Sequence, residues 1–517
     1  MSMTTSSKAL ERLKPCLNSF DGSGLRIPRP CRSRFLETGV IASLYSWALS
    51  HRRWQLINFD DFVKTYDVRG LVGSQLTDQV ITAFGAAFAD ELELSGKSLV
   101  VGHDMRDSSP GFAESFALGA TKRGANVLML GLCSTDMTYF ASGVLDLPAA
   151  MFTASHNPAS YNGIKFSRAG ARGISLDTGL AAIRDRARDF LDTGIQELSL
   201  GSIETRDVMP DYVDYLNQLV PLAGTRKLKI VVDAANGMGG LTVPAVLGQI
   251  PELEIVELYF ELDGTFPNHE ANPLDPKNLV DLQKKVLEVG ADLGLAFDGD
   301  ADRCFAIDEL GNAVTPSAVA AIVAKREIQR VQAQGEQHPK VLHNLLTSKV
   351  VAETIVASGA EPIRTKVGHS LIKDQMADTG AVFGGEHSAH YYFRDFWGAD
   401  NGMLAAMHLI SELGTSDLTM SQISSAFTPY FSSGEINSKV LDVPAANERV
   451  GKVFELASRE AFDGVTYSFE EGENWWWCNI RSSNTEPLLR LNVEANSHNL
   501  MVEIRDKALA AIADQAI

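Results

Sequence analysis

The sequence predicts an α/β protein of three similar mixed α/β units followed by one α+β unit. One strand–helix–strand pattern recurs three times from residue 58 onward, and after about residue 430 it gives way to short strands with two helices. Composition agrees: 517 residues with 45% hydrophobic and 21% charged side chains suffice for three or four compact cores.

The elements follow in order. "KSLVVGHDMR", "PGFAESFALGATKRG" and "ANVLMLG" read as strand, helix and strand, and so do "KLKIVVDAANGMGG" with "ELEIVELYF", and "PKVLHNLLTSK" with "VVAETIVASG" and "AEPIRTK". Each unit is expected to hold a mainly parallel sheet between helices. The last unit reads as strands "GEINSKVLDV", "GVTYSFE", "WWWCNI" and "LLRLNVEA" with helices "ERVGKVFELASREA" and "LMVEIRDKALAAIADQ". Boundaries are expected at 58–205, 206–310, 311–428 and 429–517. Residues 1–57 stand apart, with nine Lys or Arg against three acids. They read as a poorly ordered tail, with a targeting segment as the competing reading.

Charge and cysteine usage exclude several function classes. A net charge of −19 disfavours a nucleic-acid or anionic-membrane partner, and no apolar run approaches the roughly 18 residues of a membrane span. Five scattered cysteines with no C-x-x-C pair indicate neither a disulfide framework nor a structural zinc, which fits a cytoplasmic protein.

"TASHNPASYNGIKF" sets Ser155 in a loop after the buried-strand pattern "AAMFTA". Pro158 stops a helix, and Asn162-Gly163 reads as a turn before a short strand "IKF". On an extended backbone, neighbouring side chains point apart, so His156 is expected to be badly placed to deprotonate Ser155. Without a G-x-S-x-G elbow either, a hydrolase pair is disfavoured, and a turn-capping serine stays open.

In "LGLAFDGDADRCFAID", Asp298, Asp300 and Asp302 stand at i, i+2 and i+4, which aims all three carboxylates at one point. At about 5 Å spacing each pair repels by roughly 3 kcal/mol at an effective dielectric near 20. The loop is therefore either solvated or occupied by a hard cation such as Mg²⁺. A calcium loop fails, because Arg303 fills the position that needs glycine and both flanks read as strands. Beside the acids, Arg303 points to an anionic partner such as phosphate.

Three further stretches join these. "RSSNTEP" offers Arg481, Ser482, Ser483, Asn484 and Thr485 in one turn, a set suited to a phosphate dianion and equally an ordinary polar turn. "GEHSAH" brings Glu386, His387, Ser388 and His390 after a strand, with a carboxylate beside a hydroxyl that suits vicinal sugar hydroxyls. Its H-x-x-H lacks the i, i+4 spacing of a helical zinc motif. "KTYDVRG" contributes Arg69, and "AANGMGG" lacks the third dinucleotide-fingerprint glycine, having Thr242 there, and reads as a tight βα turn.

Together the ordered motifs "TASHNP", "DGDADR", "GEHSAH" and "RSSNTEP" resemble the α-D-phosphohexomutase superfamily, most closely its bacterial phosphomannomutase/phosphoglucomutase branch, from about Asp60 to the C-terminus. The resemblance implies four domains around a central cleft, the last TBP-like. It implies phosphomannomutase chemistry, interconverting mannose 6-phosphate and mannose 1-phosphate through a phosphoserine enzyme and a hexose 1,6-bisphosphate that serves as intermediate and activator. Ser155 would carry the phosphoryl group, and Mg²⁺ would be held by Ser155, Asp298, Asp300 and Asp302. Arg69, Lys165 and Arg303 would act as cleft cations, with Lys165 and His390 as proton carriers. Glu386, Ser388, His390 and His369 would contact the sugar, while Arg481, Ser483, Asn484 and Thr485 would hold the non-reacting phosphate. Hexose phosphates are the expected partners, on a monomer or homodimer. His387 and Ala389 stand where many relatives have methionine and glycine, and Asn484 where glycine is commoner. Glucose-phosphate specificity, a magnesium-dependent sugar phosphatase and a non-catalytic sugar-phosphate binder are the competing readings.

Overall fold

The structure, a computed structural model, describes residues 58–482 and 488–513. The expectations for residues 1–57 lie outside them, as do those for Ser483, Asn484 and Thr485.

The first sheet holds β1 (Val68–Leu71), β2 (Ser98–His103), β3 (Asn126–Leu132), β4 (Ala149–Phe152), β5 (Tyr161–Arg168), β6 (Arg172–Gly173) and β7 (Ile203–Thr205). Its order is β1-β5-β4-β2-β3-β7, with β6 beside β5. The second comprises β8 (Leu228–Asp233), β9 (Leu253–Leu258), β10 (Leu293–Phe297), β11 (Cys304–Asp308) and β12 (Ala313–Val314), in the order β12-β11-β10-β8-β9. The third has β13 (Lys340–Asn344), β14 (Glu361–Thr365), β15 (Phe383–Gly385), β16 (Tyr391–Phe393) and β17 (Ala399–Asp400), in the order β14-β13-β15-β16-β17.

These sheets share one plan. In each, two strands joined through a helix run parallel to a third, and that third strand, β4, β10 or β15, also pairs with an antiparallel neighbour. The sheets are thus mixed, and two of the third strands are buried on both faces: every residue of β4 and β10 is buried. Helices cap in the usual way, Thr315 accepting from the Ala318 N–H and Asn401 from that of Leu404. The chemistry-bearing loops leave the carboxyl ends of those same third strands: Ser155 follows β4, Asp298 follows β10 and Glu386 follows β15. Ligands gather at such strand ends in open α/β sheets.

The fourth sheet, β18 (Phe431–Ser432), β19 (Ile436–Lys439), β20 (Ser458–Ala461), β21 (Val465–Glu471), β22 (Asn474–Ser482) and β23 (Leu488–Ala495), is antiparallel throughout and packs against two helices, Val443–Val453 and His498–Ala513.

Two local expectations are corrected. "SREA" is not helical. The helix ends at Val453, and Ser458–Ala461 forms an edge strand on β21, where pairing outweighs helix propensity. Asn162-Gly163 is no turn. Both lie within β5, opposite Gly70 and Arg69 of β1. Gly163 is needed because a Cβ there would meet the Val68 carbonyl oxygen at 2.2 Å, while Asn162 Nδ2 donates to the hydroxyls of Ser108 and Ser109.

A partly buried polar network joins the second and third units. Arg330 forks onto both Glu327 oxygens at 2.8 Å and reaches Asp395 Oδ2 at 2.6 Å, and the Tyr215 hydroxyl donates to the Asp395 carbonyl. Burial works against the Glu327 charge, but Arg330 and His408 overcome it and hold the carboxyl at about 2, below its ordinary 4.5. A depressed carboxyl stabilises the fold above its unfolded value and loses that contribution as pH falls toward the folded one. Wild type is therefore expected to lose stability faster on acidification than Glu327→Gln. Urea midpoints should show the gap between them narrowing by about 1.4 kcal/mol from about pH 6 to about pH 3.5.

Candidate active site

Ser155 sits at the centre of the site. Its backbone is left-handed, with φ 49°, and its side chain is buried. Ser155 Oγ donates to Asp298 Oδ2 at 2.7 Å and accepts from Arg303 Nη2 at 3.3 Å. The left-handed turn overturns the expectation for His156. With the backbone not extended, the imidazole folds back so that Nδ1 lies 3.2 Å from Ser155 Oγ and accepts from Arg303 Nη2. Burial, reinforced by Arg303 and Arg69, pulls the His156 pKa well below its ordinary 6.5 and keeps the ring neutral.

The three aspartates are all buried, with one oxygen from each inside a 4.8 Å cluster. Arg303 clamps Asp298: its backbone N–H donates to Oδ1 at 3.1 Å and its Nε to Oδ2 at 2.9 Å. Burial, reinforced by Asp302 and Asp300, pushes Asp298 up to about 7 against the pull of Arg303. Asp300 Oδ2 accepts from Thr135 Oγ1 at 2.6 Å and from Lys165 Nζ at 2.7 Å, and Lys165 also donates to Asp302 Oδ2 at 2.6 Å. Burial opposes the Asp300 charge, yet Lys165 overcomes it and holds the carboxyl well below its usual range. Burial likewise opposes the Lys165 ammonium, but Asp300 and Asp302 hold its pKa well above the ordinary lysine value.

Asp300 Oδ1 and Asp302 Oδ1 are buried without a hydrogen-bond partner. Oxygen-only donors and orphaned carboxylate oxygens beside the Ser155 hydroxyl fit a hard divalent cation. The serine and metal loops meet through backbone, since a Cβ on Gly299 would lie 2.4 Å from the Ser155 carbonyl oxygen. Only glycine permits that approach.

The sugar-loop candidates line the same cluster. His390 Nε2 lies 3.9 Å from Asp302 Oδ1, and its Nδ1 is 3.0 Å from Ser388 Oγ and 3.7 Å from Glu386 Oε2. Glu386 accepts from the Tyr392 hydroxyl at 2.8 Å, from Asn344 Nδ2 at 3.3 Å and from the Gly368 N–H at 3.4 Å. His387 turns away to Ser317 Oγ, so the two histidines do not converge on one metal. His369 is the first residue of the helix His369–Thr379. Arg69 bridges Asn157 Oδ1 at 2.8 Å and Asp67 Oδ2 at 2.6 Å, beside the serine loop. Arg481 pairs with Glu435 at 3.5 Å and Asp463 at 3.9 Å, and Asp463 accepts from the Val367 N–H, next to Gly368.

Sequence reasoning missed Thr135, Asn344 and Tyr392, which orient Asp300 and Glu386. Thr135 and Asn344 stand alone in their stretches, whereas Tyr392 lies two residues after His390, in the aromatic run that follows the sugar motif.

The chain is similar to known proteins over most of its length. Family models of the phosphoglucomutase/phosphomannomutase α/β/α domains I, II and III match residues 60–189, 210–311 and 315–430, and the model of the C-terminal domain matches 435–511. A phosphomannomutase of Salmonella typhimurium is 35% identical over 467 residues, 87% of this chain and 98% of that protein. A protein of Xanthomonas campestris named for phosphohexose mutases is 38% identical over 451 residues, 86% of this chain and 98% of its own. The crystal structure of a phosphoglucomutase/phosphomannomutase family protein from Burkholderia thailandensis superposes with a TM-score of 0.78 at 30% identity, covering 89% of this chain and 98% of that one. No helix among the described residues is long and apolar enough to cross a membrane.

Proposed function

The chain belongs to the phosphoglucomutase/phosphomannomutase family, and from that premise we propose that it is a phosphomannomutase, an isomerase that interconverts mannose 6-phosphate and mannose 1-phosphate through a phosphorylated Ser155. The observation that carries this reading is the setting of one buried hydroxyl, bonded to Asp298 and facing Arg303, at the edge of a three-carboxylate cluster with two unpartnered oxygens.

Asp298, Asp300 and Asp302 would hold Mg²⁺ together with the Ser155 phosphate, and the ion when bound would offset charge on the phosphoryl oxygens. The chain's own residues do the rest. The free hydroxyl of a hexose monophosphate attacks the phosphorus on Ser155, the bond from phosphorus to Oγ breaks, and a hexose 1,6-bisphosphate results. Arg303 steadies the departing Oγ, which takes a proton from Asp298 Oδ2 or His156 Nδ1, while His390 takes the proton of the attacking hydroxyl and gives it to the departing sugar oxygen in the second transfer. Lys165, paired with Asp300 and Asp302, serves as a cation beside the cluster and as a proton carrier. The bisphosphate then turns over in the cleft and returns its other phosphate to Ser155 Oγ. Two acceptors stand within reach of that hydroxyl's proton, Asp298 Oδ2 and His156 Nδ1. Glu386 and Ser388 hold the sugar hydroxyls, with His369 a further contact. Arg69 stands near the reacting phosphate, and Arg481 with Ser483, Asn484 and Thr485 takes the phosphate that is not reacting.

Phosphorus NMR of a turnover mixture tests the assignment. Mannose 1-phosphate should convert to mannose 6-phosphate with stimulation by hexose 1,6-bisphosphate, with a higher kcat/KM than glucose 1-phosphate and with almost no inorganic phosphate. Stoichiometric phosphate release without isomerisation would overturn it.

A further inference from the structure

Four carbonyls of the serine loop converge on one buried guanidinium. Arg106 lies just beyond β2, its side chain only 1% exposed. Its Nη1 donates to the carbonyls of Pro158 and Tyr161 at 2.9 Å each, and its Nη2 to those of Ser155 at 2.9 Å and Asn157 at 2.7 Å. The Nε faces Asp104 Oδ2 at 3.3 Å, and Asp104 Oδ1 is fixed in turn by Ser109 Oγ and the Arg106 N–H. From the second unit, Phe266 lies 5.1 Å from the guanidinium carbon, and Gly264 packs so closely that a Cβ there would be 2.6 Å from Arg106 Cα.

Guanidinium ions ordinarily fork onto anions, and this one spends both terminal nitrogens on neutral backbone. The loop explains why. Left-handed backbone at a non-glycine residue is disfavoured by roughly 1–2 kcal/mol, and buried carbonyls need donors. A rigid planar fork that satisfies four carbonyls at once fixes the Ser155 peptide plane, and with it the direction of Cα–Cβ and of Oγ.

We propose that Arg106 is a positioning residue for Ser155, holding the loop so that Oγ faces Asp298 and Arg303 both before and after phosphoryl transfer. This rests on the phosphoserine reading above. Arg106 touches neither substrate nor the reacting atoms, so its loss is expected to lower kcat and spare KM.

Arg106→Lys keeps the charge but not the fork, and should lower kcat by roughly a hundredfold with KM within about threefold. Arg106→Ala should regain activity in millimolar guanidinium, saturably, and not in urea of the same shape. If no Arg106 variant is recovered folded, Asp104→Asn loosens the same arm, and should lower kcat about tenfold at unaltered KM. Wild-type kcat in Arg106→Lys, or in Asp104→Asn where only that variant folds, would overturn the proposal, as would equal rescue by urea. Ser155→Ala, assayed alongside, separates the two ideas. An active Ser155→Ala defeats the phosphoserine reading, whereas an inactive one beside a fully active Arg106→Lys defeats only the role given to Arg106.

Discussion

Ser155→Ala is expected to lose hexose-phosphate turnover by at least roughly three orders of magnitude, equivalent to about 4 kcal/mol of transition-state stabilisation, while still binding the sugar phosphate and staying folded. The hydroxyl is the acceptor through which every phosphoryl group would pass, and a methyl group cannot form the covalent intermediate. Folding should survive for reasons visible in the site. Alanine tolerates the left-handed backbone as poorly as serine and no worse, so Arg106 still finds its four carbonyls. Asp298 loses one donor but keeps the Arg303 backbone N–H and guanidinium. Steady-state rates, calorimetric titration with mannose 1-phosphate and intact mass for covalent phosphate read out the three parts. Near-normal turnover would remove Ser155 from the mechanism.

Divalent-ion removal should have the next largest effect. Chelation is expected to depress turnover at least about a hundredfold, with recovery on adding back Mg²⁺, and Asp300→Asn should fall further without recovering. The asparagine keeps the Thr135 contact in shape but no longer attracts Lys165, and it removes a charge from the donor set. Thermal melts with and without Mg²⁺ supply a readout independent of rate: wild type should gain stability on adding the ion and Asp300→Asn should gain little. Chelator-insensitive turnover would exclude the ion from the reaction.

Much of this was legible in the residues because the chemistry is concentrated in short runs. Short unbroken apolar runs mark β4 and β10, and the polar residues beyond them had to be loops at strand mouths. The i, i+2, i+4 aspartates announced their convergence through periodicity alone. Features set by distant partners were hidden. Asn162-Gly163 has the chemistry of a turn, and only the approach of β1 makes it strand. "SREA" favours helix until β21 offers pairing. His156 was misread because the left-handed turn at Ser155 is imposed by neighbours remote in sequence. Arg106 and Thr135 are single residues in unremarkable stretches, and their role exists only once the chain has brought position 155 to one and position 300 to the other.

The matched placement of β4, β10 and β15 bears on how such a site changes. The proposed nucleophile Ser155, the aspartates proposed to hold the ion and the carboxylate proposed to face the sugar each issue from the same address in a repeated scaffold, so the distances separating them are set by seams between repeats and not by any loop's own folding. Thr135 against Asp300, and the bare backbone at Gly299, are such seams. A small pivot of one repeat would retune the gap between phosphoryl donor and acceptor while leaving every sheet intact. Substitutions that alter which hexose fits are therefore to be sought along these seams as much as among the groups facing the sugar.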